Sequence, residues 1–152
     1  MTEPRSWALA LVYDKLPLSL NDRSPWQVRY RNARNLRDRV RMLTRTLEIP
    51  RLDAIHVDLI WTPRTRRTRD ADNAVATLKP AIDGLRDYAP RYRKHPDTGE
   101  RVLVDEGWTG VVADDNPEHV TWSPPVLRPV DRDPNLTERL VLVITERTPD
   151  HG

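Results

Sequence analysis

The chain has 152 residues, 25 Lys+Arg against 23 Asp+Glu, a hydrophobic share of 38% and no cysteine. That length suits one domain over residues 1–152, since a single core usually serves roughly 100–200 residues. Zero cysteine excludes a disulfide scaffold and any thiolate nucleophile or metal ligand. No window approaches the roughly 18 apolar residues of a membrane span, and the N-terminus lacks a signal-peptide pattern, so a cytoplasmic protein with no membrane partner is expected.

Trp7 to Tyr13 (WALALVY) reads as a first strand, and Leu16 to Asn21 (LPLSLN) as extended or turning around Pro17. Ser24-Pro25-Trp26-Gln27 carries a helix-start pattern, with Ser24 as N-cap, Pro25 at the first helical position and Gln27 placed for a capping box. Beyond it Tyr30, Ala33, Leu36, Val40, Leu43 and Leu47 recur every three or four residues, which predicts one buried stripe ending before Pro50. From Arg23 to Arg45 there are eight arginines and one acid, Asp38. Such a helix is either an ordinary solvated face or a basic helix along a phosphate backbone.

Ala54 to Trp61 (AIHVDLIW) alternates as a half-buried strand does. It runs into four arginines within Arg64–Arg69, an exposed basic loop, and then into Asp70-Ala71-Asp72-Asn73. A helix is predicted from Ala74 to about Leu85, kinked or broken at Pro80, which cannot donate to Ala76. In the polar stretch 86–108, Arg91-Tyr92-Arg93 and Arg101-Val102-Leu103-Val104 flank a Pro96-Asp97-Thr98-Gly99 turn signal and suit a hairpin. Gly110 to Ala113 reads as a strand end before the Asp114-Asp115-Asn116-Pro117 turn. His119 to Trp122 and Leu140 to Thr145 complete the strands. No internal repeat or Gly-rich phosphate loop is present, so no nucleotide cofactor is expected.

The net charge of +2 hides a split. Up to Lys79 there are 16 basic and 9 acidic residues, a balance of +7; from Pro80 there are 9 and 14, a balance of −5. Of the 25 basic residues 22 are arginine, whose planar fork suits bidentate phosphate contact, although a GC-rich genome would raise the same count.

Asp70 and Asp72 would share a face if the backbone there is extended, and paired carboxylates without Cys or clustered His suit Mg²⁺ or Mn²⁺. If instead a helix starts near Asp72, that residue is an N-cap and the pair is structural. On a regular helix Asp72, Lys79 and Asp83 return to within about 20° of one line. They could form a site, or Lys79 and Asp83 an ordinary i,i+4 pair. Asp114-Asp115 either supplies a further carboxylate or is plain turn chemistry.

In this order the motifs resemble the RusA family of Holliday-junction resolvases, endonucleases typical of phages and prophages. The likeness rests on Arg69-Asp70-Ala71-Asp72-Asn73, on Lys79 with Ala81-Ile82-Asp83-Gly84-Leu85, and on Gly110-Val111-Val112-Ala113-Asp114-Asp115. Asn21, after Leu-Pro-Leu-Ser, resembles the asparagine that follows a proline-rich strand end in that family. The lysine stands seven residues after the second aspartate, where the best-known members have four, and 86–108 is longer than the family's connection. That stretch is an insertion or hairpin that could contact DNA or a partner.

The resemblance implies an α+β single domain, a mixed sheet packed with two main helices. It implies a homodimer in a bacterial or phage-infected cell, nicking two strands of a four-way junction symmetrically with Mg²⁺. Asp70, Asp72 and Asp115 would be the metal site, with Lys79 as the catalytic lysine and Asn73, Asp83 and Asp114 in support. Arg64, Arg66, Arg67, Arg69 and Asn21 would face DNA. The alternative is a non-catalytic DNA-binding protein with the same basic surface, its carboxylates serving as caps.

Overall fold

In the computed structural model, residues 3–13, 15–64, 70–136 and 139–148 are described. Strand β2 (Ala54–Trp61) is the centre of the sheet. Its alternation turns Ile55, Val57, Leu59 and Trp61 inward, as the sequence predicts. Strand β7 (Leu140–Arg147) lies antiparallel beside it, and β1 (Ser6–Ala10) antiparallel beside β7. On the far side of β2, β5 (Val120–Trp122) and β6 (Val126–Leu127) both run parallel to it. The register sets Leu9, Leu142 and Leu59 in one row across three strands, all fully buried. Each such leucine contributes roughly 1.5–3 kcal/mol by leaving water.

Two helices cover that face: α1 (Trp26–Thr46) with Leu36 and Val40, and α2 (Val75–Asp83) with Leu78, Ala81 and Ile82. They pack directly on one another. At their contact stands Gly84, where a Cβ would lie 2.6 Å from the Arg37 carbonyl oxygen and 2.8 Å from the Val40 Cβ. The chain is thus an α+β domain with a mixed sheet and two main helices. On the opposite face of the sheet, His56 joins the strands through Thr121 (Nδ1 to Oγ1, 2.7 Å) and Ser123 (Nε2 to Oγ, 2.8 Å).

The hairpin expected within 86–108 is present as β3 (Arg91–Lys94) and β4 (Arg101–Asp105), with Gly99 at φ +70° in its turn. Every residue of both strands is exposed.

Several boundaries differ from the sequence expectations. Helix α1 is capped by Pro25 and makes no side-chain cap bond. Ser24 is drawn instead to Asp22, whose Oδ1 accepts its backbone N–H at 2.8 Å. Tyr30 and Leu47 fall off the stripe, 64% and 43% exposed, because the buried line follows Leu36, Val40 and Thr44. The helix stops where Glu48 adopts φ 53°, ahead of Pro50.

Strand β1 ends at Ala10, since Val12 takes φ 55° and leads the chain off the sheet. Helix α2 passes through Pro80 without a break. The proline ring is buried against the core, which offsets the lost hydrogen bond. Gly110 to Ala113 is not a strand: Val111 and Val112 donate to the Leu85 carbonyl at 2.8 and 3.1 Å, so their backbone partner is the end of α2. Strand β6 has no counterpart among the predicted elements.

Candidate active site at the start and outer face of helix α2

Helix α2 is entered through a 3-10 turn, Ala71–Ala74. Asp70, still extended at φ −108° and ψ 123°, caps that turn, its Oδ1 accepting the Asp72 N–H at 3.0 Å. The cap is therefore Asp70 rather than Asp72. Because Asp72 already belongs to the turn, the shared face that an extended pair would have does not apply. The Asp72 carboxylate is exposed and bonds to no described residue.

The Pro17 segment docks onto this entrance. The buried Thr77 hydroxyl donates to the Leu18 carbonyl at 2.6 Å, and Leu20 N–H donates to the Asn73 carbonyl at 3.3 Å. Exposed Asn21 is thereby tethered, one residue on, to the Asp70–Asn73 turn. Arg64 is exposed at the end of the strand that leads there; Arg66, Arg67 and Arg69 lie outside the described residues.

About one turn into α2, Lys79 reaches sideways. Its Nζ donates to Asp83 Oδ1 at 3.1 Å and to Asp115 Oδ2 at 2.6 Å. The hydrogen bond to Asp115 leads the effects that hold the ammonium above its ordinary pKa, and the same bond keeps the Asp115 carboxyl below the usual carboxylate range. At neutral pH the pair is locked as ammonium and carboxylate. Asp83 also lies 3.8 Å from the Arg86 guanidinium. Asp114 shapes the turn, its Oδ1 accepting the Asp115 N–H at 2.7 Å and its Oδ2 the Asn116 amide at 3.4 Å.

Asp115 is delivered to Lys79 by a backbone crossing. Gly110 lies so close to residues 85 and 86 that a Cβ would be 2.4 Å from the Leu85 carbonyl oxygen. Asp87 Oδ1 accepts the Gly110 N–H at 2.7 Å, while Arg51 grips Asp87 with both nitrogens of its fork and donates to the Gly110 carbonyl at 3.0 Å. Arg51 is the main cause of the depressed Asp87 pKa. No motif in the sequence signals this clamp, because Arg51 and Asp87 stand 36 positions apart.

Lys79, Asp83 and Asp115 are thus gathered, with Asp114 beside them. Asp70 and Asp72 sit at the start of the same helix. The donors offered by Asp70, Asp72 and Asp115 are all carboxylate oxygens, the chemistry that suits Mg²⁺. Among the described residues no three Asp, Glu or His side chains converge as a metal cluster. The oxygen chemistry fits a hard cation, but Asp115 spends one oxygen on Lys79.

No helix among the described residues is long and apolar enough to cross a membrane. No family model matches the chain, and no curated protein matches its sequence.

Proposed function

We propose that the chain is a Mg²⁺-dependent, structure-specific endodeoxyribonuclease that nicks branched DNA, a four-way junction above all, as a homodimer. The observation that carries this reading is the Lys79 ammonium held between Asp83 and Asp115, on the helix that the Asp70–Asn73 turn opens. Its acids come from two separate segments, and only a fold that brings them together gives such a constellation. The order of motifs, with its likeness to the RusA resolvases, supplies the reaction class.

By the likeness to the RusA resolvases, Asp70, Asp72 and Asp115 are the carboxylates that would hold Mg²⁺, for which Mn²⁺ could substitute, although the three do not converge in the structure. When bound, that ion would polarise the scissile phosphate and lower the pKa of a water. Lys79, permanently charged at neutral pH, is suited to steady phosphate charge and not to take a proton. Asp83 orients it from one helical turn away. Arg64 with Arg66, Arg67 and Arg69, and Asn21, would hold the duplex arms by their phosphates.

A second reading, a DNA-binding protein without catalysis, is favoured by one observation. Asp70 is engaged as a cap and Asp115 as a lysine partner, the structural roles such a protein would need. Incubation with a labelled four-way junction separates the two. Paired nicks in Mg²⁺, absent with EDTA and absent on linear duplex, are expected; junction binding without cutting would leave only the second reading.

A further inference from the structure

The face of α1 that looks toward the base of the β3–β4 hairpin is built of arginine. Arg37 and Arg41, one turn apart, lie 5.5 and 4.5 Å from the centroid of the Tyr88 ring, and Arg86 lies 4.1 Å from the same centroid. Trp108 is approached by Arg41 at 5.3 Å and Arg45 at 4.3 Å. Ring faces attract guanidinium groups, but they do not neutralise them. Asp38 lies 3.5 and 3.7 Å from Arg37 and Arg41 and is itself half exposed. The Nε atoms of Arg37, Arg41 and Arg86 are buried with no hydrogen-bond acceptor among the described residues. Burial first, and then the neighbouring Arg37 charge, push the Arg41 pKa down against the opposing pull of Asp38, Tyr88 and Asp105.

Between α1 and the hairpin lies a cavity of about 260 Å³, lined by Arg34, Arg37, Arg41 and Arg91 with the rings of Tyr30 and Tyr88. Asp105 is the acid in its wall, 3.6 Å from Arg91. Arg34 makes no hydrogen bond or ion pair with a described residue. Four planar forks against two carboxylates, Asp105 in the wall and Asp38 beside Arg37 and Arg41, leave an excess of positive charge that suits an anion, and forks favour phosphate oxygens. The volume falls below the roughly 300–1,000 Å³ of a small-molecule pocket, so it suits a phosphate and its sugar and not a whole cofactor. Tyr30, largely exposed at the rim, offers a face on which a base can stack.

The cavity is also joined to the Lys79 centre by an unbroken chain of neighbours. Asp115 touches Lys79, Lys79 touches Asp83, Asp83 neighbours Arg86, and Arg86 stacks on Tyr88, which Arg41 shares.

We propose that this cavity is a second backbone-phosphate site, which grips a DNA strand beyond the Lys79 centre and against the 91–105 hairpin. The assignment rests on the DNA-binding reading above. It gives the exposed hairpin a purpose: its base closes one wall of the phosphate site.

The test measures binding of a labelled four-way junction as a function of salt. The full chain is compared with Arg34→Ala/Arg91→Ala and with a control that loses the same charge elsewhere, Arg128→Ala/Arg132→Ala. All four side chains belong to exposed residues, and thermal melting checks that the fold is kept. Should the double variant fail to fold, Arg34→Gln alone serves in its place. The slope of log affinity against log salt should flatten by about 0.9 for each phosphate no longer neutralised in the first variant and stay unchanged in the control. Equal losses in both variants would reduce the effect to net charge and overturn the site. An unchanged slope in Arg34→Ala/Arg91→Ala would overturn it while leaving DNA binding intact. A wild-type chain that binds no DNA would remove both readings. If inorganic phosphate raises the melting temperature of wild type but not of that variant, with junction binding unchanged in both, the cavity takes the free ion and the strand contact is refuted.

Discussion

Lys79 and Asp115 meet at 2.6 Å across 36 positions of sequence, and the contact fixes the charge of both. The Asp115 pKa is depressed, so its contribution is present above the unfolded value of 3.8 and lost as pH falls through the lower folded one. The Lys79 pKa is raised, so its contribution is complete below 10.5 and lost as pH rises through the higher folded value. Between those limits the pair is intact.

The first prediction follows from that window. The Lys79 side-chain carbon resonance should titrate above pH 10.5, and Asp115→Asn should move the midpoint down. A wild-type midpoint below the ordinary lysine value would contradict the pairing. Because Lys79 is 67% exposed, the pair is worth at most about 1 kcal/mol, and Asp115→Asn should leave the melting temperature nearly unchanged. Any loss of function in that variant is then chemical.

Asp72→Asn should separate folding from cutting. The exposed Asp72 carboxylate bonds to no described residue, so its replacement should alter stability within about 0.5 kcal/mol. Junction binding should persist while Mg²⁺-dependent cleavage disappears. Full cleavage by the variant would remove Asp72 from the proposed metal site.

The arginine segment makes a different demand. Replacing Arg64, Arg66 and Arg67 together by alanine should weaken junction binding and flatten its salt dependence, by about 0.9 in slope for each phosphate that an arginine had neutralised. An unchanged slope would place the segment away from the phosphates.

What could be read beforehand was whatever is local. Ala54–Trp61 is a strand with the expected limits because alternation alone decides it, and the 91–105 hairpin follows from its Pro-Asp-Thr-Gly turn. The Lys79–Asp83 pair is an i,i+4 consequence of the helix, and it survives Pro80. The Lys79–Asp115 contact and the Arg41–Tyr88 stack required knowing that residues 85–88 cross over 108–112, which no period encodes. The cap that one of two readings gave to Asp72 falls to Asp70, because the entrance is a 3-10 turn, which begins earlier than the regular helix.

Acid should expose the Arg51–Asp87 clamp. Arg51 and the Gly110 N–H together depress the Asp87 pKa, so this stabilisation is whole above the unfolded value of 3.8 and fades as pH drops through the folded one. Asp87→Asn should lower the melting temperature at pH 7. It should also shrink the extra destabilisation seen between about pH 5 and pH 2 relative to wild type. With both side chains partly solvated the cost at pH 7 is on the order of 1 kcal/mol. An identical acid profile for variant and wild type would show that the clamp contributes nothing.

Gly84→Ala tests the contact on which the site is mounted. An alanine Cβ would sit 2.6 Å from the Arg37 carbonyl oxygen and 2.8 Å from Val40 Cβ, distances no real Cβ tolerates. The obstruction is helix backbone and a branched core side chain, so α1 and α2 must part. Overpacking of this kind costs roughly 1–3 kcal/mol, read as a fall of several degrees in melting temperature. Since the end of α2 carries Leu85, whose carbonyl accepts from Val111 and Val112, the displacement also shifts the segment that delivers Asp115. The Lys79 resonance should then titrate closer to its ordinary value in Gly84→Ala, although neither partner of the pair has been changed. A variant that melts like wild type and keeps the raised lysine titration would show that the two helices do not approach as closely as Gly84 permits.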